Sequence, residues 1–256
     1  MPNTIALITD FGTQDWYAPV MKSVILSVNP AARIIDVTHE IKPQHVAEAG
    51  FVLWNAYRWF TTKTVFVVVV DPEVGSERKI LAVQTDKHFL VAPDNGVLDL
   101  VLSETKVEKA VVVENRKYFL DEVCNTFHGR DIFAPVAAHL TLKEKLKSFG
   151  SKIDLSAKES PLIEVREKGF YQGYVMYIDS FGNLITNMRA SGTLKGNIKL
   201  NDYLIPQLSK TFADVQPGEI VAYTGSSGLI EIAIRNGNVA KQLEADYLTK
   251  LSLQVE

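Results

Sequence analysis

The chain has 256 residues, 46% of them apolar, and a net charge of −3 at pH 7. That is enough to build one large or two modest domains with a packed core. The acidic balance speaks against nucleic acid as a partner, because such proteins usually carry a basic excess. Cys124 is the single cysteine, so no intramolecular disulfide can form, which fits a reducing compartment. The longest apolar run, Val65 to Val70, is far too short to span a bilayer. The first residues show no basic flank followed by a signal-length apolar run. A globular cytoplasmic protein that does not engage a membrane is expected.

Ile5 to Thr9 is a short apolar run rich in β-formers that ends at Asp10-Phe11-Gly12, a buried strand followed by a turn. Tyr17, Val20, Met21, Val24 and Val28 follow at helical spacing, and Pro30 stops that helix. Arg33 to Val37 reads as a second strand, and Val46, Ala49, Leu53, Ala56 and Phe60 mark a second amphipathic helix. The valine run from Val65 is the pattern of a strand covered on both faces. Strand and helix alternate, so an α/β domain with a mostly parallel sheet is expected. Further strands are expected at Lys79 to Gln84, His88 to Val91 and Ala110 to Val113, and a helix at Asp131 to Leu140. Periodicity fades after Ser148. Beyond Gly169 the pattern turns to short strands with frequent turns, at Gly173 to Ile178, Asn197 to Leu200, Ile220 to Tyr223 and Leu229 to Ile234. The expected organisation is an N-terminal α/β domain over residues 1–150, a linker over 151–168, and a small β-barrel domain over 169–256.

In open parallel sheets, ligands bind beyond the carboxyl ends of the strands. Asp10 and Asp71 both follow such strands. Either could cap a turn, hold a metal or accept hydrogen bonds from ribose hydroxyls; two in one sheet favour a site. Arg78, seven residues after Asp71, is close enough to fold back on it, as a surface ion pair of little energy or as the anchor of a cleft carboxylate. His128 sits in a loop before a helix, where most histidines have no special role. His39, His45, His88 and His139 are weaker candidates still. Asp179-Ser180-Phe181-Gly182-Asn183 has the composition of a turn, but Phe181 is an aromatic that could stack on a planar ligand. Tyr223 to Gly228 reads equally as a hairpin turn or as an anion cradle of small residues. There is no GxGxxG after the first strand, no GxxxxGK[ST] loop, no HExxH and no paired cysteine.

Taken together, Thr9-Asp10-Phe11-Gly12, Asp71-Pro72-x-Val74-Gly75, Phe127-His128-Gly129-Arg130-Asp131, Asp179-x-Phe181-Gly182-Asn183 and Ser226-Ser227-Gly228-x-x-Glu231-Ile232-Ala233 occur in that order. The sequence resembles the S-adenosyl-L-methionine (SAM) hydroxide adenosyltransferases, relatives of the bacterial fluorinase and chlorinase. The resemblance implies hydrolysis of SAM to adenosine and L-methionine by water at ribose C5′. It further implies a homotrimer with sites between subunits, and no cofactor or metal. It implies that Asp71, Arg78 and His128 handle the water; on that basis Asp10 is expected to grip the ribose hydroxyls, Phe181 to pack on adenosine and Asn183 to bond the adenine edge. Asp179 would take the methionine ammonium, and Ser226 and Ser227 its carboxylate. The halogenases lack the Asp-Arg-His set and carry an insertion for which Asn95 to Phe119 is too short. They also carry an aromatic residue where this chain has Gln44. The alternatives are a SAM-dependent halogenase, a non-catalytic adenosine or SAM sensor, and a metal-dependent hydrolase.

Overall fold

The computed structural model describes residues 3–155, 158–190, 196–205 and 208–256. The chain divides into two compact units, Met1–Glu159 and Ser160–Glu256. Two residues of the expected linker, 156 and 157, lie outside the described residues.

Among the described residues, the first unit is built on six strands: β1 (Thr4–Thr9), β2 (Arg33–Thr38), β3 (Val65–Val69), β4 (Ile80–Thr85), β5 (Phe89–Pro93) and β6 (Val107–Val112). Their order across the sheet is β2-β1-β3-β5-β4-β6. The first four in that order run parallel, while β4 is antiparallel to both of its neighbours. The expected mostly parallel sheet is therefore present, with its reversed strand at one side. Alternation explains the valine run. Ile5, Leu7, Val65, Val67 and Val69 bury on one face, against α1 (Tyr17–Val28) and a helix over Ala134–Thr141. Ala6, Ile8, Phe66, Val68 and Val70 bury on the other, against α2 (Val46–Tyr57). Side chains on a strand point alternately to the two faces, so a strand covered by helices on both must be apolar throughout. Each fully buried Val or Ile contributes about 1.5–3 kcal/mol.

The helix expected at Asp131 to Leu140 departs from the simple expectation. Gly129–Phe133 forms a π-helical turn that leads into Ala134–Thr141. Such turns are uncommon and cluster at functional sites; this one begins immediately after His128.

Among the described residues, the second unit is a nine-stranded, nearly closed barrel. The path runs β11 (Tyr203–Ile205), β10 (Gly196–Leu200), β15 (Lys250–Val255), β8 (Gly169–Ile178), β9 (Leu184–Ala190), β14 (Leu229–Ile234), β13 (Ile220–Thr224) and β12 (Leu208–Ser209). A short β7 (Ile163–Val165), inside the stretch expected as linker, pairs with β9. The strands expected from the sequence do not include β7, β9, β11, β12 or β15. Turn residues precede β9, whereas β15 does carry a strand pattern, since Leu251, Leu253 and Val255 alternate strictly with polar residues. Among the described residues, no helix is long and apolar enough to cross a membrane.

Candidate active site

At the carboxyl ends of β1 and β3, Asp10, Gln44, Asp71 and His128 take part in walling a cavity of about 170 Å³. Asp71 directly follows the buried strand β3 and Val70. Its side chain and that of Arg78 are only 4% and 5% exposed, so the surface ion pair allowed by the sequence is in fact a buried one. Arg78 donates from Nε and from Nη2 to Asp71 Oδ2, at 2.7 and 2.5 Å. Asp71 Oδ1 is buried with no hydrogen-bond partner. The guanidinium turns its Nη2 also toward His128 Nδ1, at 2.8 Å. Asp71, Arg78 and His128 thus form one hydrogen-bonded cluster, although His128 is fifty residues from Arg78.

That contact settles the histidine's proton. A guanidinium donates and cannot accept, so Nδ1 must be the acceptor, and a neutral ring then carries its proton on Nε2. Burial and the neighbouring Arg78 charge both hold His128 below its ordinary pKa, which keeps the ring neutral. Two loops meet to build the cluster. Gly75 lies in the left-handed region at φ 83°, and a Cβ there would fall 2.6 Å from the carbonyl of Asn125. Only glycine lets the Asp71–Arg78 loop approach the 124–128 segment this closely. The far side of that segment is fixed by fully buried Asp131, which accepts from the Cys124 amide at 2.9 Å and from Arg130 Nε at 2.5 Å.

Asp10 Oδ2 accepts from the backbone amide of Gln44 at 2.8 Å. Gln44 itself is left-handed, at φ 66°. Burial, and the charge of Asp71 to a lesser degree, push the Asp10 carboxyl above its ordinary pKa, against the lowering effect of the Gln44 bond.

In the barrel unit, Asp179, Phe181 and Asn183 share the wall of a cavity of about 870 Å³ with Phe212, Tyr223 and Glu231, among others. Asp179 Oδ1 accepts from the amides of Phe181 and Asn183, each at 2.9 Å, and Oδ2 accepts from Asn183 Nδ2 at 2.8 Å. The aspartate therefore organises its own turn. It also orients the Asn183 amide, whose carbonyl oxygen is left to receive a donor. The turn leaves Phe181 74% exposed. Gly182, at φ 85°, leaves no room for a side chain, since a Cβ would sit 2.1 Å from Asn238 Nδ2. Ser226 is exposed and Ser227 buried; Ser227 Oγ accepts from the Leu229 amide at 3.3 Å. Neither serine is in the wall of this cavity, although Tyr223 and Glu231, paired across the same hairpin, are.

The sequence marks Tyr223 as part of a possible anion cradle and Glu231 as part of a motif, but assigns neither, nor Phe212, to this wall. Tyr223 donates to Glu231 at 2.8 Å, and burial together with Asp179 raises the Glu231 carboxyl above its ordinary pKa. Phe212 packs on Tyr223 with ring centroids 4.6 Å apart. A charged residue in the otherwise apolar Leu229–Ile234 was the available signal. Among the described residues, no group of three or more His, Cys, Asp or Glu side chains could hold a metal ion.

A parallel α/β unit with a buried acid–arginine–histidine cluster at its strand ends, followed by a β-barrel with an aromatic-walled cavity, defines a narrow class of two-domain proteins. Comparison with known sequences gives that class its name. The N-terminal domain of the SAM hydroxide adenosyltransferases matches residues 5–150, and the C-terminal domain matches residues 173–252. The chain belongs to this family. It is 35% identical to the (R)-S-adenosyl-L-methionine hydrolase of Salinispora tropica, over 93% of each chain. It is 28% identical to the fluorinase of an Actinoplanes species, over 98% of this chain and 96% of that one. A crystal structure of an uncharacterized conserved protein from Thermotoga maritima matches with a TM-score of 0.89 and 36% identity, over 98% of this chain and 99% of the other.

Proposed function

We propose that this protein is a SAM hydrolase that forms adenosine and L-methionine by in-line attack of water on ribose C5′. The observation that carries the reading is the buried carboxylate oxygen of Asp71, unpartnered in a cavity beside a histidine whose other nitrogen is committed to Arg78.

The leaving group is a sulfonium that departs as a neutral thioether, so no general acid is required. The remaining tasks are to align water behind C5′ and to take up its proton. Alignment alone is worth up to about 7–11 kcal/mol in well-oriented intramolecular systems. A positioned base typically adds about 10²–10⁴-fold. With Nδ1 occupied by Arg78, His128 offers the water a donor, Nε2–H, which would stabilise developing hydroxide. The base is then Asp71, through Oδ1, while Arg78 holds the opposite oxygen. Asp10 grips the ribose hydroxyls. Phe181 packs on adenine, and the Asn183 carbonyl receives the exocyclic amino group. Asp179 supplies negative charge for the methionine ammonium, and Ser226 and Ser227 bind the carboxylate. The same reading includes a cytoplasmic homotrimer with sites shared between subunits, and no cofactor or metal.

Turnover of SAM in ¹⁸O-water tests the reaction: label is expected in the adenosine 5′-hydroxyl. Formation of 5′-chloro-5′-deoxyadenosine in high chloride would identify a halogenase instead, and saturable binding without product a sensor. The Salinispora relative's name specifies an R centre in addition to the L-amino acid. That descriptor belongs to the sulfonium, because L already describes the α-carbon. We expect the R epimer at sulfur to be turned over faster than the S epimer when the two are supplied separately.

A further inference from the structure

His39 is buried at 5% exposure and has no part in the chemistry above. Its surroundings connect it to Asp10. The Nε2 atom lies 3.0 Å from Asp36 Oδ1, though without a well-directed hydrogen bond. Asp36 is held from its other side by Lys22, at 2.5 Å. The carboxylate oxygen facing Nε2 favours the tautomer with its proton there, which leaves Nδ1 as an acceptor. Nδ1 is 2.8 Å from the hydroxyl of Thr9, itself fully buried. In that tautomer the hydroxyl donates to the ring, and its oxygen accepts from the Phe11 amide at 3.3 Å. The backbone carbonyl of His39 accepts from the Gly12 amide at 2.7 Å. Thr9, Phe11 and Gly12 surround Asp10, so one residue at the end of β2 fixes the chain on both sides of the carboxylate at the end of β1.

We infer that His39 is a positioning residue that sets the Asp10 carboxylate for its ligand, through the hydroxyl of Thr9 and the amide of Gly12. The ligand's being a ribose rests on the proposed function; the positioning of Asp10 does not. Asn and Gln separate the two halves of the imidazole: Asn places an acceptor where Nδ1 stands, and Gln places a donor where Nε2 stands.

The test combines adenosine affinity with the ¹H–¹⁵N signal of the Gln44 amide, which reports its bond to Asp10 in the ligand-free protein. His39→Gln loses the acceptor for Thr9. It should weaken adenosine binding about tenfold, a difference of about 1.4 kcal/mol, and should raise KM more than it lowers kcat. Its Gln44 signal should move toward that of Asp10→Asn. His39→Asn should stay within about twofold of wild type in affinity and keep the Gln44 signal, since it preserves the acceptor. Thr9→Val removes the hydroxyl while leaving the histidine in place, and should reproduce the Gln variant. An unmoved Gln44 signal in both His39→Gln and Thr9→Val, or equal losses in the Asn and Gln variants, would overturn the inference. If the Gln44 signal shifts as expected but even the wild-type protein ignores adenosine, the ribose assignment falls and the positioning of Asp10 stands.

Discussion

The sharpest expectations attach to single side chains. Asp71→Asn keeps the size of the residue but removes the base, so kcat for SAM should fall by at least about 10²-fold, with a smaller change in KM. Equal losses of affinity with little change in rate would assign Asp71 a structural role instead. The same substitution weakens a buried ion pair. Removing one partner of such a pair typically costs about 3–5 kcal/mol, so urea unfolding should report a clear loss of stability. Asp10→Ala should weaken adenosine binding while leaving the Asp71–Arg78 contact in place. For His128 the sign of the pH effect follows from its lowered pKa. The neutral ring, and the stability it contributes, are fully present above the ordinary histidine value of about 6.5. Both are lost as pH falls through the depressed folded value. The kcat profile should therefore carry an acid limb with a midpoint below about 6.5. His128→Asn, which keeps an acceptor for Arg78, should lose that limb.

At the scale of elements, the site depends on two loops meeting where neither strand nor helix enforces contact. Gly75 is the point of closest approach, and Gly75→Ala tests it. The substitution combines a left-handed backbone with a backbone collision at Asn125, strain of order 1–3 kcal/mol. The loops can separate to relieve it, which pulls Arg78 from His128. The expected result is a loss of kcat larger than the loss of stability, measured by turnover and thermal unfolding on the same preparation. The π-turn at Gly129–Phe133 serves the same junction, because it sets the path by which His128 enters the cavity. The sequence pattern indicates a helix at Asp131 to Leu140, but the π-helical turn that leads into it has no sequence signature.

At the scale of the whole molecule, the reading predicts three chains per particle, measurable as native mass in light scattering; a strictly monomeric and fully active protein would remove the shared-site part of the proposal. Both units are legible in outline from the sequence alone. The switch from helix-separated valine-rich strands to short, turn-punctuated ones near residue 169 reflects a change from a sheet covered on both faces to a barrel with one wet face. That contrast is local in the sequence, because side-chain alternation is set by the backbone. Asp10, Asp71 and the Asp179–Asn183 turn were legible for the same reason: each ends a strand. Three things were not local. Burial decided that Asp71 and Arg78 form a desolvated pair. The meeting of chain segments fifty residues apart brought His128 to Arg78 and so selected its tautomer. Barrel closure carried Phe212, Tyr223 and Glu231 to the wall occupied by Phe181. Hydrogen-bond direction and solvent exclusion depend on atoms that the chain brings together only on folding, and those atoms, rather than the motif, decide which group can accept a proton.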